Sequence, residues 1–250
     1  MKENEIEKLR KKFYQIKRQG WIESVRNDFS GIGMTFESLM GIPNNEFEIP
    51  DFGSIELKTK TSNDSHHITL FNCTPTGPHF HEVERLKNLY GYPDSVLKKY
   101  RVLNTDVYCN KFSKTLSNFL LKININKYKK EIILTIYDKN EKILESEVYW
   151  SFDILEEKLY RKLSYLALIK ADKKVINKKK YYKYYEMKIY ALKDFNTFLK
   201  LMEKGIIRIC FKIGIFRSGS KMGHIHDRGT SFGIKEENLK YLYDLVDLYK

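Results

Sequence analysis

Three residues have the types and spacing for chemistry. Asp51 is followed five residues later by Glu56 and seven later by Lys58. From Ser54 to Thr61 the residues alternate, with Ile55, Leu57 and Thr59 in one set and Glu56, Lys58 and Lys60 in the other. That predicts a strand with one packed and one charged face. Glu56 and Lys58 then project side by side, roughly 7 Å apart along the strand. Asp51 follows Pro50 and enters at the strand's start, where a turn can swing it towards Glu56. Two carboxylates and a lysine so placed suit metal-dependent hydrolysis of a phosphodiester. Hard Mg²⁺ prefers carboxylate, water and phosphate oxygens. It activates water and offsets phosphate charge, while a lysine orients the water or stabilises the pentavalent state. The plainer reading is a strand with a solvated, charged face. Acid-x-Lys also occurs at Glu156-Glu157-Lys158, Asp172-Lys173-Lys174 and Glu186-Met187-Lys188, none with an acid five residues upstream.

The rest of the chain must position these groups. It has 250 residues and a net charge of +13. Such an excess implies a polyanionic partner, nucleic acid before an acidic membrane, against the alternative of a Lys-rich proteome. Cys73, Cys109 and Cys210 are odd in number and lack CxxC spacing, which excludes a disulfide framework or zinc knuckle. A reduced, cytoplasmic setting is expected. The charged start lacks an apolar signal core, and no apolar run approaches a membrane span.

Residues 3–19 predict an amphipathic helix closed by Gly20. The run from Gly31 to Gly41 predicts a tight glycine turn, a cap at Thr35 and a short helix packing Phe36, Leu39 and Met40. A phosphate-cradling loop is not expected there, since no third glycine or Lys-Ser/Thr follows. Glu37 points off the apolar face, either solvated or as a third carboxylate facing the Asp51 strand. A loop punctuated by Pro43 and Pro50 follows, then a hairpin over 54–72 turning at Asn63-Asp64. His66, His67, His79 and His81 form a local group without zinc spacing, better suited to DNA or surface contact. A helix is expected near 82–90 and a polar excursion over 94–117. Strands 119–125, 131–137 and one through Val148–Trp150 follow, then a helix from Ser151 to Lys162 and a buried strand 165–171. Lys178 to Tyr185 interleaves bases and aromatics. It suits either a grip on nucleic acid, with stacking tyrosines, or an edge strand guarded by lysines.

The last third predicts a helix from Asp194 to Lys204 and a strand from Ile206 to Ile215. A Gly-, His- and basic-rich stretch from Arg217 to Thr230 suits contact with a ligand and base reading in a major groove. Arg208, Lys212, Arg217, Lys221, His224, His226 and Arg228 are the candidate DNA contacts, with Lys60. Residues 235–249 predict a closing amphipathic helix burying Leu239, Leu242, Leu245 and Val246. No linker divides the chain, so one domain is expected, with a catalytic lobe over 1–90 and a DNA-recognition lobe over 91–250.

Several stretches, in order, resemble the MvaI/BcnI group of type II restriction endonucleases, which is related to the mismatch-repair nicking enzyme MutH. They are Gly31-Ile32-Gly33-Met34-Thr35-Phe36-Glu37, Pro50-Asp51 with Glu56-Leu57-Lys58-Thr59, Thr69-Leu70-Phe71, and Val148-Tyr149-Trp150-Ser151-Phe152-Asp153. Lys179 to Tyr184, His226-Asp227, Gly229-Thr230 and Phe232 continue the series. The resemblance implies an α/β PD-(D/E)xK restriction-endonuclease-like core, a central mixed sheet flanked by helices. It implies Asp51 and Glu56 as Mg²⁺ ligands, Lys58 as the catalytic lysine and Glu37 as a supporting helix carboxylate. Enzymes of this group act as monomers on double-stranded CC-x-GG targets, one strand at a time. A cognate methyltransferase protects the host DNA without binding the enzyme. Family arginines read guanines from the last third, and the alignment puts Lys212 and Gly233 at their positions. Arg208, Arg217 and Arg228 are the nearby arginines that can take that role. The competing readings are a MutH-like, methylation-sensitive nickase and a DNA-binding protein with a dead site.

Overall fold

The computed structural model describes residues 2–42, 49–227 and 230–249. The expected loop at Pro43 and the candidate contact Arg228 lie outside them. In chain order the first elements are α1 (Lys2–Arg18), β1 (Ile22–Glu23), α2 (Gly31–Met40), β2 (Ile55–Thr61), β3 (Ile68–Asn72) and α3 (Glu82–Tyr90). Then come β4 (Tyr92–Pro93), β5 (Arg101–Val107), β6 (Ser113–Lys114), β7 (Leu120–Asn126), β8 (Glu131–Tyr137), β9 (Ile143–Ser151) and α4 (Phe152–Leu163). The chain ends with β10 (Tyr165–Ile176), β11 (Lys179–Leu192), α5 (Phe195–Glu203), β12 (Ile207–Ile215), β13 (Ile225–Asp227), β14 (Ser231–Ile234), α6 (Leu239–Leu242) and β15 (Tyr243–Tyr249). They form two compact units: Met1–His66 with Lys158–Lys193 and Lys240–Lys250, and His67–Glu157 with Asp194–Leu239.

The first unit holds a mixed sheet in the order β1-β11-β10-β2, with β15 also on β11. β2 runs parallel to β10, placing Glu56 beside Leu166 and Lys58 beside Leu168. Leu9, Phe13 and Ile16 recur on one side of α1, and with Phe36 and Met40 of α2 they bury one sheet face. That face carries Ile55, Leu57, Ala167, Ile169, Tyr184 and Ile189. Helix spacing on one side and strand alternation on the other thus close a single apolar layer.

Four expectations fail here. The 54–72 hairpin does not form: β2 pairs with β10, and β3 pairs with β14 of the second unit. Local alternation marks both strands, but their partners are remote in sequence. Residues 243–249 form strand β15 on β11 rather than a helix, and Leu245 and Val246 are exposed. The spacing in Tyr-Asp-Leu-Val-Asp-Leu-Tyr fits either period, and the open edge of β11 decides. Residues 179–185 are not wholly an edge strand: opposite β10, β1 covers Tyr181 and Tyr182, and β15 joins β11 from Met187. Tyr182 and Tyr184 are core residues, so they are not free to stack on bases. Thr35 does not cap: it sits inside α2, where its hydroxyl donates to the Gly31 carbonyl at 2.6 Å and accepts from the Val25 N–H at 3.1 Å.

The second unit contains an antiparallel sheet in the order β3-β14-β12-β5-β4, with β13 also on β12, and a four-stranded meander β6-β7-β8-β9. The expected excursion over 94–117 is corrected by β5, which lies against β12 and buries Val102, Leu103 and Val107. Its polar Asn104, Thr105 and Asp106 hid the strand. Trp150 is fully buried against Phe211 and Phe232, and its indole N–H donates to the Cys73 carbonyl at 2.9 Å. Trp150→Phe keeps most of the ring but removes that hydrogen bond. It is expected to cost about 1–2 kcal/mol in urea unfolding; an unchanged midpoint would show that the bond contributes nothing.

Candidate active site and nucleic-acid interface

The turn at Asp51–Ser54 sets the geometry. Phe52 and Ile55 exchange backbone hydrogen bonds of 3.0 and 2.9 Å, and Gly53 lies between them at φ +60°. A side chain there would be strained and would strike the Glu5 carboxylate. Glu5 of α1 accepts from the Ser54 N–H at 3.1 Å and hydroxyl at 2.7 Å, and these bonds hold its pKa below the usual value. The helix therefore pins the turn, and the turn doubles Asp51 back along β2. There its Oδ2 accepts from the Leu57 N–H at 2.9 Å.

The charged face of β2 is not solvated. Glu56 is 1% exposed. Its Oε1 lies 2.6 Å from Lys58 Nζ and 3.5 Å from Lys162 Nζ, while its Oε2 is buried with no hydrogen-bond partner among the described residues. Burial pushes the Glu56 pKa up, Asp51 adds to the rise, and the two lysines oppose it. Glu37 reaches the same place from α2. Gly33 lets the helix approach β2: a Cβ on it would lie 3.3 Å from Thr59 Oγ1 and 3.5 Å from Glu37 Oε1. Burial raises the Glu37 pKa, the Asp51 charge adds to it, and Lys58 opposes it. The structure thus brings Asp51, Glu56, Lys58 and Glu37 together. Lys60, expected to touch DNA, is 5% exposed and donates to the His66 carbonyl at 2.8 Å.

The residues present fit a divalent cation. An anionic, buried and unpartnered oxygen such as Glu56 Oε2 needs compensation, and carboxylate donors suit a hard ion. Among the described residues no three His, Cys, Asp or Glu side chains form a closed metal cage. An open pair such as Asp51 and Glu56 leaves room for water and phosphate, as Mg²⁺ sites usually do. His66 instead pairs with Asp64, Nδ1 to Oδ1 at 2.7 Å.

Sequence reasoning missed Lys162 and Tyr243. Lys162 follows Leu159 by one helical step on α4, the only local sign that it turns inward. Tyr243 is fully buried and its hydroxyl has no hydrogen-bond partner among the described residues. Burial and the nearby Glu56 charge raise its pKa.

The candidate DNA contacts of the second unit separate into two kinds. Arg208 is paired with Asp106 and Arg217 with Asp94. Arg217 donates Nε and Nη2 to Asp94 Oδ2 at 3.2 and 2.8 Å, and Asp94 also accepts from the Val96 and Leu97 N–H groups. These bonds lower the buried Asp94 to about 2. Arg217 therefore fastens its loop to Asp94 while its side chain stays exposed. Asp94→Asn should destabilise the protein at neutral pH. The folded pKa lies below the unfolded value of about 3.9, so the difference from parent persists above that pH. It disappears as pH falls through about 2; urea midpoints at pH 6, 4 and 2 check this.

Lys212 is exposed beside Asn104. Both line a cavity of about 280 Å³ with Gly214, Phe216, Arg217 and His226. His226 stacks flat on Phe216, 4.3 Å between centroids and 6° between planes, and Lys221 Nζ stands 5.9 Å from the same ring. His224 is exposed. Lys212, Lys221, His224 and His226 are thus gathered at one end of β12 and β13.

The mixed sheet, its helices and the acid–lysine cluster make up a restriction-endonuclease-like fold, and the solved relatives share it. The restriction endonuclease MvaI bound to its cognate DNA substrate superposes with a TM-score of 0.88 at 34% identity, covering 95% of each chain. MvaI without DNA gives 0.62 at 30% identity, covering 98% of this chain and 97% of that one. A comparison with curated proteins gives no match. The profile of the MvaI/BcnI restriction endonuclease family matches residues 10–243, and the chain belongs to that family of type II restriction endonucleases acting on DNA. No described helix is long and apolar enough to cross a membrane.

Proposed function

We propose that this protein is a Mg²⁺-dependent endonuclease cutting double-stranded DNA at a short, nearly palindromic CC-x-GG-type target. It works as a monomer, with host DNA protected by a separate methyltransferase. The first unit does the cutting, and the second reads bases through Lys212, Lys221, His224 and His226. The observation that carries the chemistry is the buried Glu56 carboxylate, with one oxygen on Lys58 and Lys162 and the other unpartnered, beside Asp51.

Asp51 and Glu56 would hold the cation, which supplies positive charge to the scissile phosphate and the attacking water. The Leu57 N–H fixes Asp51 in its rotamer. Lys162 retains Glu56 Oε1 when Lys58 turns towards the phosphate. The Lys58 ammonium then orients the water and stabilises the charge that builds on phosphorus. Water adds to phosphorus, the bond to the leaving oxygen breaks, and a water proton passes to solvent as the leaving oxygen is protonated. Glu37 supports the cluster from α2. Burial around Glu56 lowers the local dielectric and strengthens each of these interactions.

Incubating the protein with long duplex DNA, with Mg²⁺ or with EDTA, tests this. Discrete fragments only with Mg²⁺ are expected, their ends giving the target. Intact but retarded DNA would favour a binding protein or a partner-dependent nickase.

A further inference from the structure

A ribbon in the first unit takes no part in this chemistry. β2 ends at Thr61, opposite Ala171, but β10 and β11 continue as a ribbon, with the short β1 against Tyr181 and Tyr182 of β11. It closes at Asn177 and Lys178, both at positive φ. Residues 170–183 contain seven lysines and one aspartate. Cross-strand neighbours share a sheet face, so the register decides where these lysines point. Glu56, Lys58 and Lys60 lie beside Leu166, Leu168 and Lys170. Lys174 keeps that parity along β10, with Tyr181 opposite it; Lys183 stands opposite Asp172, and Lys179 opposite Ile176. Lys174, Lys179 and Lys183 therefore continue the face that carries Glu56 and Lys58.

Aromatic rings back this stretch. Lys174 Nζ sits 4.4 Å from the centroid of Trp21, which is 40% exposed, and 5.8 Å from that of Tyr181. The acids here are Glu23, 2.8 Å from Lys179 and bonded to the Tyr181 hydroxyl, and Asp172, bonded to Ser62. They leave a strong positive excess.

We propose that this ribbon is a second DNA-binding surface, in which Lys174, Lys179 and Lys183 hold backbone phosphates outside the recognised sequence. The idea rests on the reading of the protein as a nuclease. From Leu168, beside Lys58, to Lys174 is six residues, roughly 20 Å along the strand. That corresponds to about six base pairs of duplex axis, beyond the edge of a five-base-pair target when the scissile phosphate lies at Lys58. Lysines on phosphates there add affinity without sequence information.

The test is the salt dependence of binding to a 40-base-pair duplex in EDTA, where no cutting is needed. The variant replaces Lys174, Lys179 and Lys183 with glutamine together. Each phosphate that is no longer neutralised takes about 0.9 off the slope of log affinity against log salt, so the slope should fall by up to about 2.7. In Mg²⁺ the same change should raise KM and retain kcat. Replacement of all three by arginine should keep the parental slope, separating charge from folding. An unchanged slope in the glutamine variant, or a fall in kcat rather than a rise in KM, overturns the proposal. Because binding is read without metal, an absence of cleavage in the parent would refute the nuclease reading and leave this measurement intact.

Discussion

Lys58→Ala is expected to reduce cleavage by on the order of 10²–10⁴-fold while DNA binding persists. The ammonium lies 2.6 Å from Glu56 Oε1, in the cluster that would surround the scissile phosphate. Its loss removes charge that matters most in the transition state, so the effect falls on kcat. Folding should survive, because Lys162 still stands 3.5 Å from the same oxygen and Glu56 is not left without a cation. Binding should survive because the exposed cations Lys212 and Lys221 lie in the other unit. Single-turnover cleavage and a mobility shift in EDTA separate the two effects. A variant that cuts at the parental rate would remove Lys58 from the site.

The site was more legible in the sequence than the sheet around it. Alternation in Ile55–Thr61 is local, and it put Glu56 and Lys58 side by side as the structure has them. Pro50 before the strand marked where the chain turns to bring in Asp51. Strand partners are a different kind of fact. β2 pairs with β10 and β3 with β14, choices made by apolar runs far along the chain. The inward lysine of α4 was hidden for the same reason: Lys162 matters only because β2 passes beneath it. Charge misled at Lys60, which looked like a hand for DNA yet is buried on the His66 carbonyl. A basic residue's type does not reveal whether an internal acceptor waits for it. The tyrosines of β11 were ambiguous until its neighbours were known, since aromatics suit a core as well as a nucleic-acid face.

Glu56→Gln is expected to abolish cleavage and yet stabilise the metal-free protein. The change keeps the shape and removes the charge. Loss of an anionic ligand should exceed the roughly 10–100-fold cost of losing an outer-shell partner. Stability moves the other way because burial raises the Glu56 pKa, and the two nearby lysines do not cancel the rise. In the folded state the carboxyl keeps its proton above the unfolded value of about 4.3. Between that value and the raised one the folded protein binds more protons, so stability falls as pH rises through this window. At pH 8 the ionised group is a standing cost that glutamine avoids. In EDTA the variant should therefore melt higher than the parent at pH 8, by about 2–4 °C for each kcal/mol relieved, with the gap closing towards pH 4. Added Mg²⁺ should shift the parent upward and leave the variant where it was, since an ion that binds only the folded state stabilises by mass action. A variant that melts lower at pH 8 would mean that the ion pair with Lys58 outweighs the burial of the charge. Strain of this kind is expected where a carboxylate is kept for chemistry rather than for folding.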